Sequence, residues 1–150
     1  MIAISVRQPF AWAIAVGAKT IENRSRNVHW RGEVAIHASQ ARFPGGGRDS
    51  RIMQLLHAGT ADDAPRGAIV AVAQLVDCHP AAQHDDCSTC CDPWGMAVYN
   101  NRRAFHLVLA DIRRLPEPVP CRGQLAIGWA VPPETAQAVR TQLALAFEEV

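Results

Sequence analysis

Short apolar blocks separated by polar turns run through the chain, and no block repeats. Met1 to Ser5 reads as a short apolar strand. After Pro9, the residues Ala11, Trp12, Ile14, Ala15 and Val16 recur at helical spacing, and Gly17 stands where a left-handed residue ends a helix. Pro9 suits the first turn, where its missing N–H has no partner to lose. Thr20 to Arg24 then alternates, with Thr20, Glu22 and Arg24 on one side and Ile21 and Asn23 on the other.

Downstream, Glu33 to Ser39 predicts a strand with Val34, Ile36 and Ala38 on one face and Glu33, Ala35 and His37 on the other. Asp49 or Ser50 caps a short helix with Ile52, Leu55 and Leu56 inward, ending at Gly59. Gly67 to Asp77 is almost continuously apolar and β-branched, which predicts a central buried strand. Cys78 to Ala104 has no periodicity and reads as a long loop. Ala104 to Leu115 predicts a strand, Pro116 to Pro120 a polyproline-like connector, and Gln124 to Val131 another strand. A final helix, Glu134 to Glu149, carries the stripe Ala136, Val139, Leu143 and Phe147. The order β-α-β-β-α-β-loop-β-β-α places the chain in the α+β class.

Composition narrows the picture. Hydrophobic residues make up 49% and charged residues 19%, as in an ordinary globular protein, and 150 residues suit one domain over 1–150. No apolar run approaches the ~18–20 residues a membrane span needs. The N-terminus has no basic region followed by an apolar core, so a cytoplasmic location is expected. A net charge of +1 excludes a uniformly basic coat. The charge is uneven, however. Residues 1–51 hold eight basic against three acidic side chains, and the remainder holds seven against eleven. That asymmetry fits an anionic ligand at the N-terminal third.

Lys19 is the only lysine; every other basic residue is arginine. A compact ammonium whose pKa can be shifted differs in kind from a guanidinium, and this one lies beside Glu22 and Arg24. Arg7 and Gln8 precede it, and His37 lies on the polar face of the next strand. Trp30 follows Arg26 and precedes Arg31, a spacing that can stack a base while neutralising phosphate. Trp94, in the long loop, is either a second stacking surface or a plug for one end of the fold.

The long loop also holds Cys78, Cys87, Cys90 and Cys91. Cys87-Ser-Thr-Cys90 has the spacing of a zinc half-site that Cys78, His79 or His84 could complete. No second half-site spacing follows, so the loop is expected to be ordered by packing, with no metal or cofactor. Structural zinc on Cys78, His84, Cys87 and Cys90 is the alternative.

The pattern S-x-R-Q-P-x-A-W followed by G-x-K-x-x-E-x-R resembles the ASCH domain, a branch of the PUA-like superfamily. Gly32 to Ala38, Pro120 to Gln124 and Trp129 continue the likeness in order. The resemblance implies a PUA-like mixed β pseudo-barrel with flanking helices. It also implies a cleft that binds RNA, other single-stranded nucleic acid or a modified nucleoside. Arg7, Gln8, Lys19, Glu22, Arg24, Trp30, His37 and Trp94 are its candidate ligand residues. Some small ASCH proteins are amidohydrolases that deacylate N4-acylated cytidine, using a lysine in G-x-K-x-x-T. Lys19 matches that lysine, whereas Glu22 stands in place of the threonine. An enzyme of this kind, or a weak ribonuclease with His37 as base, is therefore the alternative, with Lys19 and Glu22 as the catalytic pair.

Overall fold

The computed structural model describes residues 1–55, 64–82 and 91–148, with side chains to 146. Six strands form one mixed sheet in the order β2-β7-β4-β3-β1-β8. These strands are β1 (Ile2–Gln8), β2 (Ile21–Arg24), β3 (Gly32–Arg42), β4 (Ala68–Pro80), β7 (Phe105–Pro120) and β8 (Trp129–Ala130). A separate hairpin pairs β5 (Val98–Tyr99) with β6 (Arg102–Arg103). Among the described residues, helices run over α1 (Phe10–Ala15), α2 (Ser50–Leu55) and α3 (Pro133–Glu148), with a 3₁₀ turn at Gly46–Arg48. The expected α+β class holds. The ladder is open, since β2 and β8 are its two ends and do not pair with each other.

Each face of the sheet has its own core. Ile4, Val6, Val34, Ile36, Ala38, Leu75, Leu107 and Leu109 pack with Ala11 and Ile14 of α1. Ala3, Ala35, Ile69, Val72 and Leu115 on the other face are covered by Ala136, Val139 and Leu143 of α3. Strands buried on both sides explain why β4 reads as an unbroken apolar run rather than an alternating one.

Three sequence expectations change. Cys78 to Ala104 is not wholly a loop: Cys78–Pro80 form the end of β4, and Val98–Tyr99 pairs with Arg102–Arg103. Pro116 to Pro120 is not a connector but the end of β7, with Val119 opposite Ile69 and Pro120 opposite Ala68 on β4. Three prolines two residues apart remove donors from one edge of the strand only. Among the described residues that edge has no strand partner, because β2 pairs with β7 only from Phe105 to Val108. Conversely, Gln124 to Gly128 is irregular, and only Trp129–Ala130 pairs with β1. Gly128 adopts φ +82°, outside the strand region, and Leu125 is fully exposed.

Candidate functional site

β8 pairs with β1 only at Ile2 and Ala3, so among the described residues β1 from Ile4 onward presents an edge without a strand partner. The free edge of β2 approaches it. Arg24 bridges the two, its Nη2 donating to the main-chain carbonyl of Ser5 at 2.7 Å. A side chain thus spans the seam that a continuous ladder would have closed.

The chain reaches this seam as its sequence directs. The amides of Gly17, Ala18 and Lys19 bond back to Ile14 and Ala13, and Gly17 takes φ +79° where a Cβ would be strained. That turn delivers Lys19 to the start of β2. Alternation puts Glu22 and Arg24 on the face shared with Leu107 and Phe105. Lys19 is 3% exposed, and its Nζ donates to Glu22 Oε2 at 2.7 Å and to the carbonyl of Ile21. Glu22 Oε1 lies 3.4 Å from Arg24 Nη2. Burial pushes the Lys19 pKa below the ordinary lysine value; the Glu22 carboxylate opposes that shift, while the charges of Arg24 and Arg51 add to it.

Trp94 and Arg51 complete the cluster. The Arg51 guanidinium sits 4.5 Å from the Trp94 ring centroid and Lys19 Nζ 5.9 Å from it. Arg51 is held from two sides, by the Asp49 carboxylate and by the carbonyl of Pro93 at 2.7 Å. Asp49 also accepts from the Arg51 amide at 2.9 Å, the bond of a helix N-cap, and these bonds from Arg51 hold its carboxyl below the usual carboxylate range. Trp94 donates from Nε1 to Ala18 at 2.9 Å and meets Phe10 edge-on. Asn23, on the opposite face of β2, grips the same segment, donating to Trp94 O and accepting from the Met96 amide, each at 2.9 Å.

The sequence-predicted residues separate into groups. Lys19, Glu22 and Arg24 come together as expected. Trp94 joins them as a plug: it is 4% exposed and already covered, so it offers no stacking face. Gln8 is buried and both ends of its amide are used, by Pro65 O at 2.7 Å and by the Trp12 amide at 2.8 Å. It braces α1. His37 is also buried, with Nε2 2.8 Å from Cys121 O and Nδ1 3.3 Å from Ser5 Oγ. Ser5 stands between the two clusters, its carbonyl taken by Arg24 and its hydroxyl by His37, Trp129 and Gln124. Arg7 is exposed, and Trp30 is half-buried with one face against Gly128. Cys78 lies in the core opposite Leu107, whereas His84, Cys87 and Cys90 fall outside the described residues.

Sequence reasoning left Ser5, Arg51, Asn23 and Asp49 off the site. Ser5 was legible, since it opens the S-x-R-Q-P motif. Nothing local to Arg51 or Asp49 says that the chain between β3 and β4 returns to Trp94.

The chain matches the ASCH domain over residues 4–118 and belongs to that family. Its fold resembles the crystal structure of ASCH from Zymomonas mobilis, with a TM-score of 0.60 and 16% identity over 93% of each chain. Two mutants of that protein superpose equally well, at 15% identity over 93% of this chain and 94–96% of theirs. No protein with a curated description matches the sequence. Among the described residues, no helix is long and apolar enough to cross a membrane.

Proposed function

We propose that the chain binds single-stranded RNA or a related nucleic acid across the seam between β1 and β2. The observation that carries this reading is the bridge from Arg24 to Ser5. It ties β1, which carries exposed Arg7 two residues past Ser5, to β2, which leads into the bend holding exposed Arg26. β1 and β2 run antiparallel, so the two guanidiniums lie toward opposite ends of the seam, one on each side of the bridge. Arg24 Nε–H is moreover a buried donor without a partner among the described residues. A phosphate or base carbonyl brought by a ligand supplies the missing acceptor. Trp30, the half-buried aromatic six residues past Arg24, is the candidate stacking surface.

The test is fluorescence anisotropy with a short labelled single-stranded RNA. Arg7→Gln and Arg24→Gln should each weaken binding. Each variant that neutralises one phosphate fewer should make the dependence of log affinity on log salt shallower by about 0.7. Wild-type affinity in both variants overturns the reading.

A hydrolytic reading has one observation in its favour, the depressed pKa of Lys19 beside Glu22, a pair able to exchange a proton with an acyl-nucleoside substrate. The near-complete burial of the amine favours binding over chemistry at that atom. Release of cytidine from N4-acetylcytidine by wild type, abolished in Lys19→Arg, would reverse the order of the two readings.

A further inference from the structure

On the outer face of the β4–β7 pair, His79 and His106 stand directly opposite each other, with ring centroids 5.4 Å apart. Strand alternation sends their neighbours Cys78 and Leu107 to the opposite face, into the core. Cys91 meets the two histidines from above. One ligand atom from each of the three side chains lies within 4.8 Å of the others. The amides of Trp94 and Gly95 both bond to Cys91 O, curling Cys91–Gly95 into a tight turn. A Cβ on Gly95 would stand 2.7 Å from Cys91 Cβ and 2.9 Å from His106 Cε1, so only glycine lets the turn close over the histidines.

The hydrogen bonds around the rings decide what the cluster can hold. Asp77 Oδ2 lies 3.0 Å from His79 Nδ1, and a carboxylate can only accept, so that nitrogen carries the proton. His79 Nε2 then offers a lone pair, 3.4 Å from Cys91 Sγ. Likewise Met96 O, which can only accept, lies 2.8 Å from His106 Nε2, so the proton sits on that nitrogen. This leaves His106 Nδ1 as a buried lone pair with no partner among the described residues, on a side chain 2% exposed. A carboxylate behind one imidazole and a backbone carbonyl behind the other is the outer-shell arrangement that orients metal-binding histidines. Tetrahedral zinc, with bonds of about 2.3 Å to sulfur and about 2.0–2.1 Å to nitrogen, holds those two ligand atoms about 3.6 Å apart, close to the spacing found here.

We propose that His79, Cys91 and His106 bind a divalent transition metal of the zinc type, with the fourth position left to water or another donor. The Cys91 thiol proton passes to solvent as the metal binds, and both imidazoles remain neutral. The metal would fasten the Cys91–Gly95 turn to the sheet, and with it Trp94 beside Lys19 and Arg51. A hydrogen-bonded cluster without metal accounts for the contact between His79 and Cys91. It leaves the lone pair of His106 unexplained.

Cobalt substitution in the full chain tests this directly. Metal-stripped protein titrated with Co²⁺ should bind one equivalent, with the strong visible bands of a tetrahedral site and a thiolate-to-cobalt charge-transfer band in the near ultraviolet. Zn²⁺ should displace it. Cys91→Ser should abolish the charge-transfer band. His79→Ala, at a half-buried position that tolerates change, should weaken binding at least about tenfold while the circular dichroism stays that of wild type. Absence of tetrahedral bands in wild type overturns the proposal. So does a charge-transfer band that persists in Cys91→Ser, because another cysteine would then be the ligand.

Discussion

Arg24 on β2 donates to the carbonyl of Ser5 on β1 across 2.7 Å, although the two strands sit at separate places in an open ladder. One guanidinium therefore does two things. It holds the sheet's free edges together, and it places a charged group with an unpaired Nε–H at the seam. Lys19 and Glu22 support that group from beneath as a buried charge cluster of fixed geometry.

That support makes Lys19 a stability residue whatever its further role. Removing one partner of a buried pair leaves the other charge uncompensated, at a cost of about 3–5 kcal/mol. Lys19→Ala should therefore lower the unfolding free energy by about 3 kcal/mol, somewhat less if Arg24 shifts toward Glu22. Lys19→Met combined with Glu22→Gln should recover most of that stability. Urea unfolding measures both, and a decrease below about 1 kcal/mol in Lys19→Ala would contradict the buried-pair account.

Asn23 tests how the segment around Trp94 is held. Its amide satisfies Trp94 O and the Met96 amide together, so Asn23→Ala leaves two polar groups of that segment unpaired. The expected cost is about 2–3 kcal/mol. Hydrogen exchange of the Met96 amide should also accelerate by at least tenfold. Unchanged protection of that amide would show that something other than Asn23 fixes the segment.

His37 gives a pH dependence with a definite sign. Burial lowers its pKa below the ordinary histidine value, against a smaller opposing effect of the Cys121 carbonyl. Below about pH 6.5 the unfolded chain takes up a proton that the native state still refuses, so stability falls as pH falls through that window. The window lies above that of Asp49, whose carboxyl is held low by Arg51 and loses its contribution only in stronger acid. Urea midpoints at pH 7, 6 and 5 should decline in wild type, with a smaller decline in His37→Gln. Equal declines would remove His37 as the cause.

Local pattern carried much of the fold and part of the site. Alternation placed Glu22 and Arg24 on one face of β2, and Gly17 marked the turn that delivers Lys19, because both depend on near neighbours. The prolines of 116–120 misled for a related reason. Proline is excluded from a strand interior but not from an edge that lacks a partner, and the absence of that partner is a matter of topology. Gln124 to Gly128 has the alternation of a strand, yet β1 offers it only two residues of ladder before the seam opens. Gln8, from the S-x-R-Q-P motif, and His37, on the polar face of the next strand, are expected beside Lys19, whereas each is consumed by distant partners, Pro65 and Cys121. The letters around Trp94 fit a stacking surface and a plug equally, and only the return of Arg51 and Phe10 over it decides for the plug. The Cys78 to Ala104 stretch drew attention to the Cys87–Cys90 spacing. The trio that meets among the described residues draws on β4, β7 and Cys91.

The central claim is that nucleic acid engages the seam at Arg24, and the Arg24 Nε–H resonance reports on it most directly. In a ¹⁵N-labelled sample at low salt, titration with a short single-stranded RNA should shift that signal saturably, as a donor without a partner gains an acceptor. Amides of Val6, Arg7 and Arg26 should shift along the same binding curve, while the Trp94 indole, buried beneath Arg51, should move little. Saturable RNA binding with the Arg24 Nε–H and those flanking amides unmoved would place the ligand elsewhere and contradict the account.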